Sequence, residues 1–500
     1  MPFIVSAGGK KKDDPETRKL IRSHVMLGKN LGKSRGRAKP KDPLPWEVAP
    51  AWNSFDGGGA AIQQPSSIIP KKVGSEWSFT QLAAEIEPAA IADILTYSSL
   101  ARQATVPLEA CISFDKKDRV LVGPMASDAA FVHAAALGTH AYVGLMLGRE
   151  DHHAVQSTSP HFSKALQLLR ERLDSTDEDL KVANPTIMVV IALALHARMI
   201  GDFDSAKHHM EGLRMMINLR GGITTVIHKM RLAMEIFRCD IGLAIESGSK
   251  PVFFSNTSPR EPFLPFPDRM SRSMPKSADM PSFWPYSEQF LSVINEEIAI
   301  VWRAMKRFCL QISRAARTKR KLSEEILLQA TASIMYRLLH MSFASGSLDA
   351  AIRLGLVAFS SQIFLQLPDV GVRRTSLSTT YQECLVGLDI LEEQWPQLLL
   401  WLLMVGAVAV FNEPGSAWLK PWLKSTIERC AVDSWSDFRD MMDSFMWIGL
   451  VFDKPAKDIF YSAMTSLDLS GDGSASIASQ AKASPAATPK PHPVLGVEKN

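Results

Sequence analysis

A chain of 500 residues with 46% hydrophobic and 22% charged residues can bury a large core without disulfides or metals, which excludes wholesale disorder and a collagen-like repeat. Its longest apolar run, Leu398–Phe411, has 14 residues, whereas a membrane-spanning helix needs about 20, so we do not expect a membrane protein. The net charge of +4 is unevenly distributed: residues 10–41 hold 12 Lys and Arg against 3 acidic residues, and the remainder holds 44 basic and 49 acidic residues. The sequence therefore predicts a mildly acidic body (net −5) with a strongly basic N-terminal tail (net +9).

The cysteine pattern and the N-terminus both favour a reducing compartment. The five cysteines are far apart, odd in number and without a C-x-x-C pair, which is typical of reduced, buried thiols rather than of zinc ligands or a disulfide framework. Residues 1–5 are apolar and the charge follows them, the reverse of the order in a secretory signal peptide. We therefore expect a cytosolic or nuclear protein.

Composition divides the chain into three parts. Residues 1–75 form a basic tail that we predict to be mostly disordered, with one short helix near 16–27. Residues 76–465 form the folded domain, which contains a Pro-rich loop at 249–287, and residues 466–500 form a second disordered tail. Strand signals are sparse.

Apolar residues in the domain recur at intervals of three and four residues. This spacing predicts an all-α fold, an irregular multi-helix domain. We predict an N-cap at Ser127 or Asp128 and another at Asn184, and a helix end at Gly221-Gly222. The predicted helices cover 131–145, 162–173, 187–195, 206–217, 326–339, 348–367, 376–391 and 395–411. The aromatic-rich stretches 395–401 and 435–452 have helical spacing and are predicted to be core.

The search for catalytic chemistry gives only near misses. Residues 468–473 resemble the opening of a calcium loop, but Ser479 stands where the bidentate Glu belongs. The acidic cluster at 174–179 fits a solvated turn better than a Mg²⁺ site, and the pairs His152-His153 and His208-His209 point in different directions on a helix. We therefore predict a protein that is not an enzyme and uses no metal and no cofactor.

The basic tail is the strongest functional signal. Its side chains fit a nuclear-import address or contact with DNA phosphates, and a solvated tail that only aids solubility is the third interpretation. The only tail helix that could present side chains to a DNA groove, residues 16–27, is short. The candidate residues are Lys10, Lys11, Lys12, Arg18, Lys19, Arg22, His24, Lys29, Lys33, Arg35, Arg37, Lys39 and Lys41.

Three segments, in order, resemble a group of fungal transcription-factor-like proteins. They are the N-terminal stretch 2–26 with the basic residues that follow, the segment 209–222 with the pattern H-x-x-G-L-x-x-M-x-x-L-R-G-G, and the helix 397–406 with the pattern L-L-L-W-x-L-x-x-G. The resemblance implies the all-α fungal-specific transcription factor domain, a nuclear location and a role in transcription. Many relatives carry a binuclear zinc cluster, but this chain has no cysteine before Cys111, so zinc-dependent DNA recognition is not implied.

The motif residues have structural interpretations first. We expect Leu213, Met216, Ile217 and Leu219 to pack in the core, Gly212 to permit close helix approach, and Arg214 and Arg220 to lie at the surface or in internal ion pairs rather than to bind an anion. The structural motif residues are Gly212, Leu213, Arg214, Arg220, Gly221, Gly222, Trp401 and Gly406.

The leading hypothesis is a fungal transcription regulator of a metabolic or secondary-metabolite gene set. Its expected partners are a nuclear import receptor, DNA bound nonspecifically or with a partner's help, and other proteins or a second copy of the chain. The alternatives are a helical scaffold or ligand-binding module that does not bind DNA, and an all-helical metal-dependent enzyme.

Overall fold

The computed structural model describes residues 81–113, 122–146, 159–254, 263–267, 289–365, 375–411 and 418–465. Of the described residues, 77% are helical and 1% are in strands, which confirms the predicted all-α class. The predicted tails 1–75 and 466–500 lie outside these ranges. All described residues belong to one compact unit that spans residues 69–500.

The described residues form eighteen α-helices, one 3₁₀ helix and two short strands. The first half contains α1 (Pro88–Glu109), β1 (Ile112–Ser113), α2 (Val122–Ser127), α3 (Ala129–Met146), α4 (Pro160–Leu173), α5 (Glu178–Lys181), α6 (Asn184–Met199), α7 (Phe203–Leu219), α8 (Thr224–Ile227) and α9 (Met230–Ser247). The second half contains the 3₁₀ helix Gln289–Ser292, α10 (Glu296–Thr318), β2 (Leu322–Ser323), α11 (Glu324–His340), α12 (Leu348–Phe364), α13 (Thr375–Val386), α14 (Asp389–Gln394), α15 (Pro396–Ala409), α16 (Leu419–Arg429), α17 (Trp435–Phe445) and α18 (Gly449–Met464).

Helix α6 is the central helix of the first half. It packs against α3, α4, α7 and α9, and α1 covers the other side of α3. The stretch Glu178–Met199 is long and apolar enough to cross a membrane by length and composition, but half of its apolar window is buried inside the protein. A core helix passes the same test, and burial between four neighbouring helices accounts for the apolar composition of α6.

An aromatic core fills the second half, where α15 packs against α12, α16, α17 and α18. The rings of Trp302 and Trp401 are 5.0 Å apart between centroids, and Phe359 stacks on Phe452 at 4.6 Å. Both predicted aromatic core stretches are therefore confirmed. The two halves are joined by a parallel pair of strands, in which the amide of Leu322 donates to the carbonyl of Cys111 at 2.8 Å.

Buried Asp240 of α9 anchors the start of the Pro-rich loop. Its carboxylate accepts hydrogen bonds from the backbone amides of Val252 and Phe253 at 2.8 and 3.0 Å and from the hydroxyl of Tyr336 at 3.0 Å. Burial raises the pKa of the Asp240 carboxyl to about 6, against the opposing effect of these bonds. The loop is thus fixed to α9 and α11 at its first described residues.

Arg337 of α11 anchors the second described piece of this loop, residues 263–267. Its guanidinium donates to the carbonyls of Leu264 and Ser333, both at 2.7 Å, and lies over the rings of Phe263 and Phe266. Between the two pieces the loop lies outside the described residues. Arg337 is 73 residues from Leu264 in the chain, whereas Asp240 lies only 12 residues before Val252, in the helix that precedes the loop.

The helix boundaries confirm some predictions and correct others. Asp128 caps α3 because its carboxylate accepts from the amide of Phe131 at 2.9 Å. Asn184 is not an N-cap: it is the first residue of α6, and its side-chain oxygen accepts from Arg220. The predicted helix 376–391 is broken at Gly387 into α13 and α14. The five cysteines are buried and unbridged, as expected.

Candidate functional site

The structure bears on only some of the candidate residues. The thirteen basic-tail candidates, from Lys10 to Lys41, lie outside the described residues, as do the pair at 152–153 and the calcium-like segment 468–473. The motif residues on α7 and α15 and the acidic cluster at 174–179 are described. The tail and the motif helices are therefore not placed relative to each other.

Helix α7 carries the first motif. It begins after Asp202, whose carboxylate accepts a hydrogen bond from the amide of Ser205 at 3.0 Å. Hydrogen bonds with the side chain and the backbone amide of Ser205 lower the pKa of the Asp202 carboxyl. It ends at Gly221 and Gly222, which have φ of 107° and 96°. Since L-residues rarely adopt such angles, the predicted role of the two glycines in ending the helix is confirmed. The buried residues of α7 are Ala206, Met210, Leu213, Met216 and Ile217.

Two expectations for this motif are wrong. Leu219 does not pack, because 76% of it is exposed, and Met215 one turn earlier is 64% exposed. Gly212 is not needed for close approach, since a Cβ at this position would meet nothing within 4 Å. The motif helix therefore presents a small apolar pair at the surface instead of burying all its leucines.

Arg220 has an internal role, although not the ion pair that we expected. Its guanidinium donates to the side-chain oxygen of Asn184 and ties the end of α7 to the start of α6. Arg214 is half-buried and has contacts of its own within the domain.

The two motif leucines allow a matched test. We expect Leu213→Ala to lower the free energy of unfolding by about 2–5 kcal/mol, because it leaves a cavity in the core. Leu219→Ser should change it by less than about 0.5 kcal/mol, since the side chain is already in water. Urea unfolding of both variants measures the difference. An equal loss in the two variants would mean that something in the intact protein covers Leu219.

The second motif lies in α15 and is structural. Trp401 is fully buried, and its indole N–H donates to the carbonyl of Met446 at 2.9 Å. Gly406 lies against Phe411 so closely that a Cβ would be 2.2 Å from the ring. Only glycine leaves room for this ring.

A surface groove of about 420 Å³ lies where α7 begins and α9 ends. Lys207, Asp202 and Asp204 line one side, and Ser247 and Ser249 line the other. The Ser247 hydroxyl donates to the carbonyl of Leu243 at 2.6 Å, so it is already engaged in a local bond.

A buried ion pair joins α6 and α9. The guanidinium of Arg198 is 2.9 Å from the carboxylate of Glu246, and both side chains are less than a tenth exposed. Gly242 makes room for the guanidinium, since a Cβ there would be 2.5 Å from it. The pair joins α6 to α9 at the centre of the first half.

The acidic cluster has a structural explanation. Asp177 caps α5 by accepting from the amides of Asp179 and Leu180, and Glu178 pairs with Lys181 at 2.8 Å. Among the described residues, no group of three or more His, Cys, Asp or Glu side chains is arranged to hold a metal ion.

A chain of hydrogen bonds runs from Glu87, just before α1, through His161 of α4 to His133 of α3. Nε2 of His161 is 2.9 Å from the carboxylate of Glu87, and its Nδ1 is 2.9 Å from Nδ1 of His133. Because an ionised carboxylate only accepts, His161 donates from Nε2 and its Nδ1 accepts from His133 when both rings are neutral. The chain joins α1, α3 and α4.

His196 in α6 is buried, and its ring lies near the ring of Phe162. Neither ring nitrogen has a hydrogen-bond partner, and burial, with smaller effects of His140 and His209, lowers its pKa to about 4. The unfolded chain has a pKa near 6.5, so it takes up the proton first as the pH falls. The stability that the neutral ring provides is complete above about pH 6.5 and is lost progressively between about pH 6.5 and pH 4.

We therefore expect His196→Leu to make the protein less sensitive to acid. Between pH 7.5 and 4.5 the wild type should lose about 2.5 kcal/mol more stability than the variant, from the size of the pKa difference. Urea midpoints at the two pH values measure this. Asp240 titrates in both proteins, so the comparison isolates His196, and His208→Gln on the surface serves as the control. Equal pH dependence in wild type and variant would contradict the expectation.

One feature of the structure was not predicted from the sequence: helix α10 has a basic face. Between residues 298 and 323 the chain has eight Lys and Arg and no Asp or Glu. The arginines recur at helical spacing at 303, 307, 314 and 317, while the opposite face of α10 is core. The signal is present in the sequence, although the tail carries a larger net charge.

The chain matches no known family profile, no curated protein and no solved structure.

Proposed function

We propose that this chain is a transcription regulator of the fungal type, with a basic tail that provides nuclear entry and contact with DNA phosphates, and a helical domain that regulates. The observation that carries the proposal is the segregation of charge: +9 within residues 10–41 and −5 in the remainder. Lys- and Arg-rich segments of this kind are bound by import receptors and neutralise phosphates.

The resemblance of residues 209–222 and 397–406 to the fungal transcription-factor-like group supports the second half of the proposal. The exposed pair Met215 and Leu219 on the motif helix adds to this support, because exposed apolar side chains are suited to contact with a protein partner. The alternative hypothesis, a helical scaffold that does not bind DNA, assigns the same binding role to the helical domain but no role to the tail.

The test is to replace all twelve Lys and Arg between residues 10 and 41 by Gln in a fluorescent fusion of the full chain, expressed in a fungal host. We expect the nuclear signal to fall and the transcript levels of a gene set to change. Chromatin occupancy of the same variant separates the two roles of the tail. Focal occupancy that survives would show that a partner recognises the DNA. An unchanged nuclear signal together with an unchanged transcriptome would refute the proposal.

A further inference from the structure

Helix α10 presents an exposed basic face on a domain whose body is acidic overall. Arg303, Arg314 and Arg317 are exposed along the helix, and the turn that follows adds three exposed basic residues, 319–321. Acidic residues return only at Glu324, in the next helix. We call these six side chains, at 303, 314, 317, 319, 320 and 321, the α10 basic stripe.

Helix geometry places the helical members of the stripe in one line. At 100° per residue, positions 303, 314 and 317 fall within an arc of about 60°, and the line from 303 to 317 is about 21 Å long. Lys306 and Arg307 share this side of the helix, are half-buried and have contacts of their own within the domain. Asp443 on α17 interacts electrostatically with Arg317, so an acidic residue lies on one flank.

The opposite face of α10 is fixed in the core. Trp302, Met305 and Phe308 are buried there, so the helix cannot rotate and the stripe keeps its orientation. The backbone positions of the stripe are thus fixed in a row, and the exposed side chains that extend from them carry guanidinium and ammonium groups. Guanidinium groups bind phosphate oxygens in a bidentate way, and a helix fits the major groove of duplex DNA.

We propose that the α10 basic stripe is a second nucleic-acid contact, a surface of the folded domain that binds the phosphate backbone of duplex DNA. This inference rests on the proposed function and gives the helical domain its own contact with DNA. The stripe neutralises phosphates without base-specific contacts, so it adds affinity and orientation rather than sequence recognition.

Two other partners fit the same charge less well. An import receptor binds an extended basic peptide, but residues up to Thr318 are helical here, Lys319 has a φ of 53°, and Leu322 is bonded to Cys111 in the strand pair. An anionic membrane surface would be expected to bind a helix with exposed apolar side chains beside the charge, and α10 offers one, Ile300. A fixed row of arginines on folded backbone matches phosphates best.

The test uses the full chain and four variants. The stripe variant replaces the six stripe residues by Gln, which keeps good helix propensity. The control variant replaces six exposed basic residues elsewhere on the domain by Gln, with the same change of charge: Lys164, Arg170, Lys207, Lys229, Lys250 and Lys420. The tail variant is the one described above, and it is also combined with the stripe variant.

Fluorescence anisotropy with a 30-base-pair duplex of arbitrary sequence is measured at several salt concentrations. We expect the stripe variant to bind at least ~10-fold more weakly at 100 mM salt, and its slope of log affinity against log salt to be smaller by about 4. The control variant should lose much less. Thermal unfolding checks that each variant remains folded.

The combined variants separate this inference from the proposed function. If the tail variant binds DNA as the wild type does and the added stripe substitutions abolish binding, the stripe is supported and the DNA role of the tail is refuted. If stripe and control variants lose affinity equally, the inference is overturned while the role of the tail stands. Loss of binding to anionic lipid vesicles without loss of DNA binding would also overturn it, as would loss of nuclear import with unchanged DNA binding.

Discussion

Trp401→Ala will lower the free energy of unfolding by about 3–5 kcal/mol for the lost indole volume, and we expect this to be among the largest losses from any single substitution in the domain. The ring is completely buried between α10 and α12, with centroids 5.0 Å from Trp302 and 5.7 Å from Phe359. The variant also leaves the carbonyl of Met446 without its indole donor, at a further cost of about 1–3 kcal/mol if no water enters. Urea unfolding followed by circular dichroism measures the total.

Trp401→Phe separates the two contributions. It keeps much of the ring and removes the N–H, so we expect a loss that is smaller than that of Trp401→Ala but clearly above zero. Tyr461→Ala is the matched control, because this ring is 47% exposed and its removal should cost about 1 kcal/mol or less. If Trp401→Ala were no worse than Tyr461→Ala, the packing of α15 described above would be wrong.

Arg198→Met will also destabilise the domain, by about 3–5 kcal/mol, for an electrostatic reason. The substitution keeps most of the apolar stem and removes the charge that faces Glu246 at 2.9 Å in the interior. A carboxylate in a low-dielectric environment without its counter-charge is costly, and this cost exceeds the net value of the pair itself. The loss should therefore depend on Glu246 still being present.

The double variant Arg198→Met with Glu246→Leu tests this dependence. We expect it to recover more than half of the stability lost by Arg198→Met, because it removes both charges of the buried pair. Lys181→Met is the control, since its pair with Glu178 lies at the surface and should contribute less than about 1 kcal/mol. A double variant as unstable as Arg198→Met would show that the fit of Arg198 against Gly242 matters more than its charge.

The helices themselves were predictable from the sequence. Apolar residues at intervals of three and four predicted six helices with ends that agree with the structure to within a few residues: α3, α4, α7, α11, α12 and α15. The spacing is informative because helical hydrogen bonds join residues four apart. The same local rule gave Asp128 as a cap and Gly221-Gly222 as a helix end. The charge pattern of the α10 basic stripe is also a local property, since the spacing of its basic residues and the lack of acidic residues among them are evident from the sequence.

Helical geometry also explains which motif leucine is covered. Six residues at 100° per residue place Leu219 about 120° away from Leu213, and Leu213 is fully buried while Leu219 is 76% exposed. The role of Asn184 was not predictable in the same way. It has the side chain of a cap, but Arg220, 36 residues later, donates to its oxygen instead. At this position a neighbouring helix, not the local sequence, decides the outcome.

The sequence by itself determined the all-α class, most helix positions and the separation of a basic tail from an acidic domain, because periodicity and composition act within a few turns of chain. Only the tertiary structure decided that Asp240 and Arg337 anchor the Pro-rich loop, that Arg198 and Glu246 meet in the interior, and that the arginines of α10 face solvent along one line. Asp240 and Tyr336 are 96 residues apart in the chain. Such contacts depend on which helices share the core, and that follows from packing the apolar faces of all the helices together.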